Sequence, residues 1–203
     1  MIDKIQQPLS SYTATDLTSL RQLLLDLFCQ LAYVEGEFVL SSGQRSSYYI
    51  NGKQVTLHPQ GALAIGRLLL SHLLLDTEAV AGLTLGADPI VSAVSIVSAL
   101  ENRPIPALII RKEAKGHGTR AYIEGPTLPA GAKVVVLEDV VTTGQSALKA
   151  VERLRSAEYQ VEQVIALVDR QQGGSQLYES AGLKFQAVFT IQEIQQRYKQ
   201  LEV

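Results

Sequence analysis

Two runs in this chain are apolar at every position: Val134-Val135-Val136-Leu137 and Val164-Ile165-Ala166-Leu167-Val168. A strand with one wet face alternates polar and apolar residues, so runs without alternation belong to strands covered on both sides. Similar short runs recur from residue 79 onward, separated by stretches of helical period, which is the sequence form of βαβ units. The expected strands are 79–84, 105–111, 133–138, 162–168 and 185–189, and the expected helices 89–100, 145–157, 174–181 and 191–201. The expected class is α/β, with a central parallel sheet of five strands flanked by helices.

The region before residue 79 has a different texture. Leu17, Leu20, Leu24, Leu27, Phe28 and Leu31 follow Thr15-Asp16 at helical spacing, predicting a capped amphipathic helix that ends near Gly36. Phe38-Val39-Leu40 and Tyr48-Tyr49-Ile50 flank a turn-rich stretch and predict a hairpin. Pro59 suits the first turn of a second helix that carries Leu63, Ile65, Leu69 and Leu73. At about 100–200 residues per domain, the 203 residues make one domain.

Composition excludes several classes. Eighteen Lys and Arg against 20 Asp and Glu leave a net charge of -2, which offers no general attraction to nucleic acid, so any anion site must be local. No apolar run reaches the ~20 residues of a membrane span, and no secretory signal is readable, which makes the cytoplasm the expected location. The single Cys29, among Leu27, Phe28 and Leu31, reads as a small core hydrophobe. His58 and His72 read as surface or packing residues.

The chemistry concentrates in VVVLEDVVTTGQS, residues 134–146, where a buried strand empties into two carboxylates and a small-residue turn before a helix. Thr142, Thr143, Gly144, Gln145 and Ser146 would bring hydroxyls and backbone N–H groups to a helix N-terminus, where unpaired donors and the helix dipole favour phosphate. Glu138 and Asp139 stand at the carboxyl end of the strand, where open α/β sheets bind ligands, and suit ribose hydroxyls or a hard cation. The stretch is neither a Walker loop nor a dinucleotide fingerprint. A second cluster, RKEAKGHG at 111–118, sets Arg111, Lys112, Lys115 and His117 on a loop with two glycines. Such a loop suits a diphosphate that must be loaded and then covered.

The 134–146 stretch closely resembles the phosphoribosyl-pyrophosphate signature of the type I phosphoribosyltransferases. RKEAKGHG resembles the catalytic loop of the orotate-specific branch, SSGQRSSYYINGKQVTLHP at 41–59 resembles its base-side segment, and Val168-Asp169-Arg170-Gln171 carries its carboxylate-binding arginine. The resemblance runs from about residue 17 to the C-terminus and implies a five-stranded parallel core, about 61–190, under a small hood formed mainly by 1–60 with a C-terminal contribution. It implies the transfer of a phosphoribosyl group from 5-phosphoribosyl 1-diphosphate to orotate, with Mg²⁺ carried mainly by the diphosphate. The donor would meet Arg111, Lys112, Lys115, His117, Glu138, Asp139, Val140, Val141 and the 142–146 turn. Orotate would meet Thr142, Arg170, Tyr48 and Tyr49, and Lys115, His117 and Asp139 would serve catalysis. Successive strand residues face opposite ways, so at most one of the two tyrosines should enter a pocket. The resemblance also implies a homodimer whose catalytic loop reaches the neighbouring site.

The chain departs from that family in two places. Ser41 stands where many relatives have lysine, and Gly86-Ala87-Asp88-Pro89 replaces a Tyr-Lys segment. Asp88-Pro89 should instead cap and start a helix, with Gly86 and Ala87 offering N–H groups to the diphosphate. A relative acting on a purine or uracil would keep 138–146 but lack the orotate-like loop and Arg170. A donor-sensing regulator would add a DNA-reading domain, and no helix-turn-helix is readable.

Overall fold

The computed structural model describes residues 16–39, 45–115 and 122–201. The chain opens with α1 (Leu17–Leu27), a π-helical turn (Phe28–Ala32), β1 (Tyr33–Val39), β2 (Arg45–Ile50), α2 (Lys53–Thr56) and α3 (Pro59–His72). It continues with β3 (Ala79–Leu83), α4 (Asp88–Leu100), β4 (Ala107–Ile110), β5 (Ile123–Glu124), β6 (Val134–Val141), α5 (Gln145–Ser156), β7 (Gln163–Asp169), α6 (Gly174–Ser180), β8 (Lys184–Thr190) and α7 (Ile191–Leu201).

The large sheet runs β5-β4-β3-β6-β7-β8. Five strands are parallel; the sixth, β5, is antiparallel to β4 with Ile109 opposite Glu124, so the sheet is mixed where five parallel strands were expected. The reason is local: the chain leaves β4, makes the excursion after Arg111 and returns, and Arg111 N–H donates to the Tyr122 carbonyl at 2.8 Å. Both stems of the cationic loop therefore lie side by side on the sheet edge. β6 and β7 are interior strands, buried on both faces as their unbroken apolar runs require. One face packs against α1, α3, α4 and α7, the other against α5 and α6.

Asp16 caps α1, its Oδ1 accepting from the N–H groups of Thr18 at 2.8 Å and Ser19 at 3.1 Å. The helix does not continue to Gly36: after the π-helical turn, Tyr33 already belongs to β1 and pairs with Ile50. Tertiary packing decides this, because Tyr33 as a strand residue stacks on Tyr48 at 5.7 Å and meets the Tyr198 ring edge-on at 4.9 Å. Gly36, with φ 154°, sits in the irregular pairing between Glu35 and Phe38 and ends no helix. The strands of the hairpin are therefore longer than the sequence suggests; the turn that joins them, with Ser41, lies outside the described residues. Two further expectations change. β6 runs to Val141, so Glu138 and Asp139 lie inside the strand, extended by pairing of Val140 with Val168 and Val141 with Asp169. Asp88 does not cap α4; it occupies the first turn after Ala87, and its Oδ2 accepts from the Thr84 hydroxyl at 2.8 Å. Cys29 is buried, and burial pushes its thiol up to about 12, which keeps it protonated.

Candidate active site

At the carboxyl end of the sheet, β6 separates its two acids. Strand alternation sends Glu138 and Asp139 to opposite faces. Asp139 faces the backbone of the hairpin-to-helix connection and of the segment after β3: a β-carbon built on Gly86 would stand 2.7 Å from its Oδ1, and one on Gly52 3.3 Å from its Oδ2. A side chain at position 86 would collide with the carboxylate, and one at position 52 would press against it. Glu138, buried to 6% exposure, turns instead toward α5 and α6. Burial first, then the neighbouring Asp139 charge, raises its carboxyl well above the usual carboxylate range, while the Lys112 charge works in the opposite direction.

The turn after β6 closes around a concavity of about 80 Å³ lined by Glu138, Val140, Val141, Thr142, Thr143, Gly144, Gln145, Ser146, Ala147 and Tyr178. Gly144, with φ 85°, is the residue before α5, and it carries no side chain to cap the helix. The first N–H groups of α5 thus keep no side-chain partner from the cap and face the concavity, a suitable seat for an anion. Gly144 is also needed sterically, since a β-carbon there would lie 3.0 Å from Cζ of Tyr178 and 3.2 Å from Cα of Gly174.

Arg170, directly after β7, reaches across to the hairpin. Its Nε donates to the Tyr48 hydroxyl at 3.1 Å, its guanidinium lies 4.8 Å from the Tyr48 ring centre, and its own N–H donates to the Val141 carbonyl at 2.9 Å. The residue is buried, and its Nη2 has no hydrogen-bond partner among the described residues. A buried guanidinium with an unused N–H edge calls for an anionic acceptor. Tyr48 is buried beside it, whereas Tyr49 turns to the other face of the hairpin, half-exposed, with its ring 5.6 Å from Phe38.

The cationic loop is anchored at its stems. Arg111 pairs with Glu124 at 3.1 Å and Lys115 with the same carboxylate at 3.7 Å, while Lys112 is exposed. His117, with Gly116 and Gly118, lies outside the described residues. Arg153, on α5, donates to the carbonyls of Arg111 and Lys112, the latter at 2.9 Å, and lies 4.1 Å from the Tyr122 ring centre. One side chain on the helix behind the anion turn thus holds both the entry and the exit of the loop. Arg153, Glu124 and Tyr178 belong to no motif read in the sequence, and only its distant partners distinguish Arg153 from any other helix cation; Gly52 falls within the 41–59 segment, but nothing local marks its place against Asp139.

Among the described residues there is no group of three or more His, Cys, Asp and Glu side chains that could cage a metal. The donor set fits Mg²⁺ delivered with phosphate ligands, which uses one or two carboxylates beside phosphate oxygens and water. Asp139 is the carboxylate so placed.

The open N-terminus of α5 at the end of a buried strand, with a carboxylate on one side and a basic loop pinned beside it, suits a phosphorylated ligand. Residues 51–198 match the phosphoribosyl transferase domain, and the chain belongs to that family. It is 79% identical over 186 residues to the orotate phosphoribosyltransferase of a Nostoc species, covering 92% of this chain and 90% of the relative. It is 68% identical over 192 residues to that of a Synechocystis species, covering 95% and 97%. Among solved structures it is similar to the Mycobacterium tuberculosis orotate phosphoribosyltransferase in complex with 5-phospho-alpha-D-ribosyl 1-diphosphate, with TM-score 0.71, 34% identity and coverage of 86% of this chain and 98% of that one. Within the family, these relatives make the chain a member of the orotate branch.

Proposed function

We propose that the chain transfers the 5-phosphoribosyl group of 5-phosphoribosyl 1-diphosphate to orotate, giving orotidine 5′-monophosphate and diphosphate, a step of pyrimidine nucleotide synthesis. The observation that carries the choice of base is Arg170: buried, oriented by Tyr48, with Nη2 unpartnered among the described residues. A carboxylated base satisfies that edge and an uncharged one does not.

The bond from the anomeric carbon to diphosphate breaks as the bond to the orotate ring nitrogen forms and that nitrogen gives up its proton, so positive charge grows on the ribose and negative charge on the leaving group. Catalysis is then mainly positional and electrostatic. The 142–146 turn holds the 5-phosphate and Asp139 the ribose hydroxyls. Thr142 and Arg170, with Tyr48, orient the base. Tyr49 faces away from Arg170, and we assign it to packing with Phe38. Mg²⁺ would supply charge neutralisation at the diphosphate. Arg111, Lys112, Lys115 and His117 bear on the leaving group, with Lys115 or His117 as its proton donor, and Gly86 offers it an N–H group; the Ala87 N–H, expected to do the same, is instead buried and donates to the Leu83 carbonyl at 3.3 Å. Arg111 and Lys115 must exchange Glu124 for the diphosphate, an exchange that their exposed pairing makes inexpensive. We assign the hairpin and α1 to a hood over the core, and the protein to the cytoplasm; among the described residues no helix is long and apolar enough to cross a membrane.

Diphosphate release measured across orotate, uracil, adenine, guanine and hypoxanthine tests the reading. Only orotate should support turnover with the donor, and turnover with another base in its place would reject it.

We also propose a homodimer in which the loop carrying Lys115 serves the partner's site. Lys115→Ala and Asp139→Asn proteins, each strongly impaired alone at limiting donor, should then complement on mixing. Random exchange makes about half the dimers mixed, each with one restored site, so recovery should approach about a quarter of wild-type activity. No recovery after verified subunit exchange would place the loop over its own site.

A further inference from the structure

Tyr178 lies on α6, outside every motif behind the functional reading. Its side chain is fully buried, its ring lies 5.0 Å from that of Phe185, and its edge supports Gly144 from below. Packing accounts for an aromatic ring at this place but not for a hydroxyl, since phenylalanine would fill the same space. Tyr178 Oη has no hydrogen-bond partner among the described residues, and the side chain lines the concavity enclosed by the 142–146 turn. A buried hydroxyl without a partner is costly, and native proteins retain one where something else comes to meet it. Glu138 Oε2 is in the same condition on the same concavity. Two unpartnered polar groups and the open N-terminus of α5 therefore converge on one space.

We propose that the Tyr178 hydroxyl donates a hydrogen bond to the phosphate held by the 142–146 turn, which makes Tyr178 a substrate-binding residue reached from a different helix than the turn itself. The proposal rests on the reading of that turn as the phosphate seat. Burial, followed by the Glu138 and Asp169 charges, pushes the phenol well above its ordinary value, so Tyr178 keeps the proton it donates. The contact also explains the close fit at Gly144: the ring that carries the donor has to reach under the backbone that carries the other N–H groups.

Tyr178→Phe retains the ring and removes only the oxygen. Calorimetric titration with ribose 5-phosphate should show a dissociation constant about 10-fold higher than wild type, the size expected for one hydrogen bond to a charged group. The KM for the diphosphate donor should rise with kcat within about 2-fold, and the Tm of the ligand-free protein should hold or rise because an unpartnered hydroxyl is gone. Unchanged ribose 5-phosphate affinity in Tyr178→Phe, with wild type binding, would overturn this inference and leave the turn's role standing. A lowered Tm in the ligand-free variant would assign the hydroxyl to the fold and overturn it equally. If wild type itself fails to bind ribose 5-phosphate, the phosphate reading of the turn falls and this inference with it.

Discussion

Arg170→Ala is expected to lower kcat/KM for orotate by about 100- to 1,000-fold, the cost of removing one partner from a buried charge pair. Any residual reaction with uracil should fall far less, because uracil has no carboxylate to lose. Two features make the difference readable. The guanidinium is already oriented without ligand, by the Tyr48 hydroxyl at 3.1 Å and by the Tyr48 ring, so little ordering is needed when orotate binds. Its Nη2 is buried and has no partner among the described residues, so the free protein bears a desolvation penalty that the carboxylate relieves. Arg170 also ties β7 to the hairpin, and Tm measured alongside separates that role: equal losses for orotate and uracil with a lowered Tm would make Arg170 structural. Tyr48→Phe should lower orotate kcat/KM by a smaller factor, about 10-fold, since the arginine then loses its guide but keeps its charge.

Gly86→Ala should lower kcat/KM at limiting donor by about 100-fold while leaving the fold intact. The new methyl would lie 2.7 Å from Asp139 Oδ1 and 3.0 Å from Oδ2, so one of them has to move. The far end of an aspartate yields more readily than the backbone after β3, and the carboxylate swings off the position that we propose meets the ribose. Misplacement by about 1 Å is enough for a loss of this order. The test is a double-mutant cycle. Asp139→Asn should show a comparable loss, and adding Gly86→Ala to it should change little further, because both changes remove the same interaction. Fully additive losses, or a Gly86→Ala enzyme with wild-type donor kinetics, would show that the carboxylate's place against Gly86 has no bearing on the reaction.

Much of the architecture was legible because its signals are local. Val134 to Leu137 and Val164 to Val168 have no polar face, and strands of that kind have to lie inside a sheet covered on both sides. The strand-to-helix turn at Gly144 was readable for the same reason: small, hydroxyl-bearing residues after a buried strand leave N–H groups open, whatever the rest of the chain does. Arg170 could be placed at a strand end from its position alone.

What the sequence could not settle depends on partners far away in the chain. Helical spacing predicted α1 running on to Gly36, but the ring contacts of Tyr33 with Tyr48 and Tyr198 make it a strand residue. β5 exists only because the chain folds back on β4, and two residues carry no pattern of their own. Glu138 and Asp139 look equivalent in sequence, as adjacent acids do. Strand alternation sends them to opposite faces, where burial raises Glu138 while Gly52 and Gly86 frame Asp139. Arg153 and Tyr178 show the same limit, since a surface cation and a core aromatic differ from functional ones only in what they meet. The amino-acid order by itself determined which segments become strands and helices and where the 142–146 turn stands, because hydrophobic period and turn chemistry act over a few residues. Which face each side chain presents, and which polar groups remain buried without partners, was decided only by tertiary structure, because burial and hydrogen bonding depend on contacts between residues far apart in the chain, 122 positions for Tyr48 and Arg170 and 172 for Arg21 and Glu193.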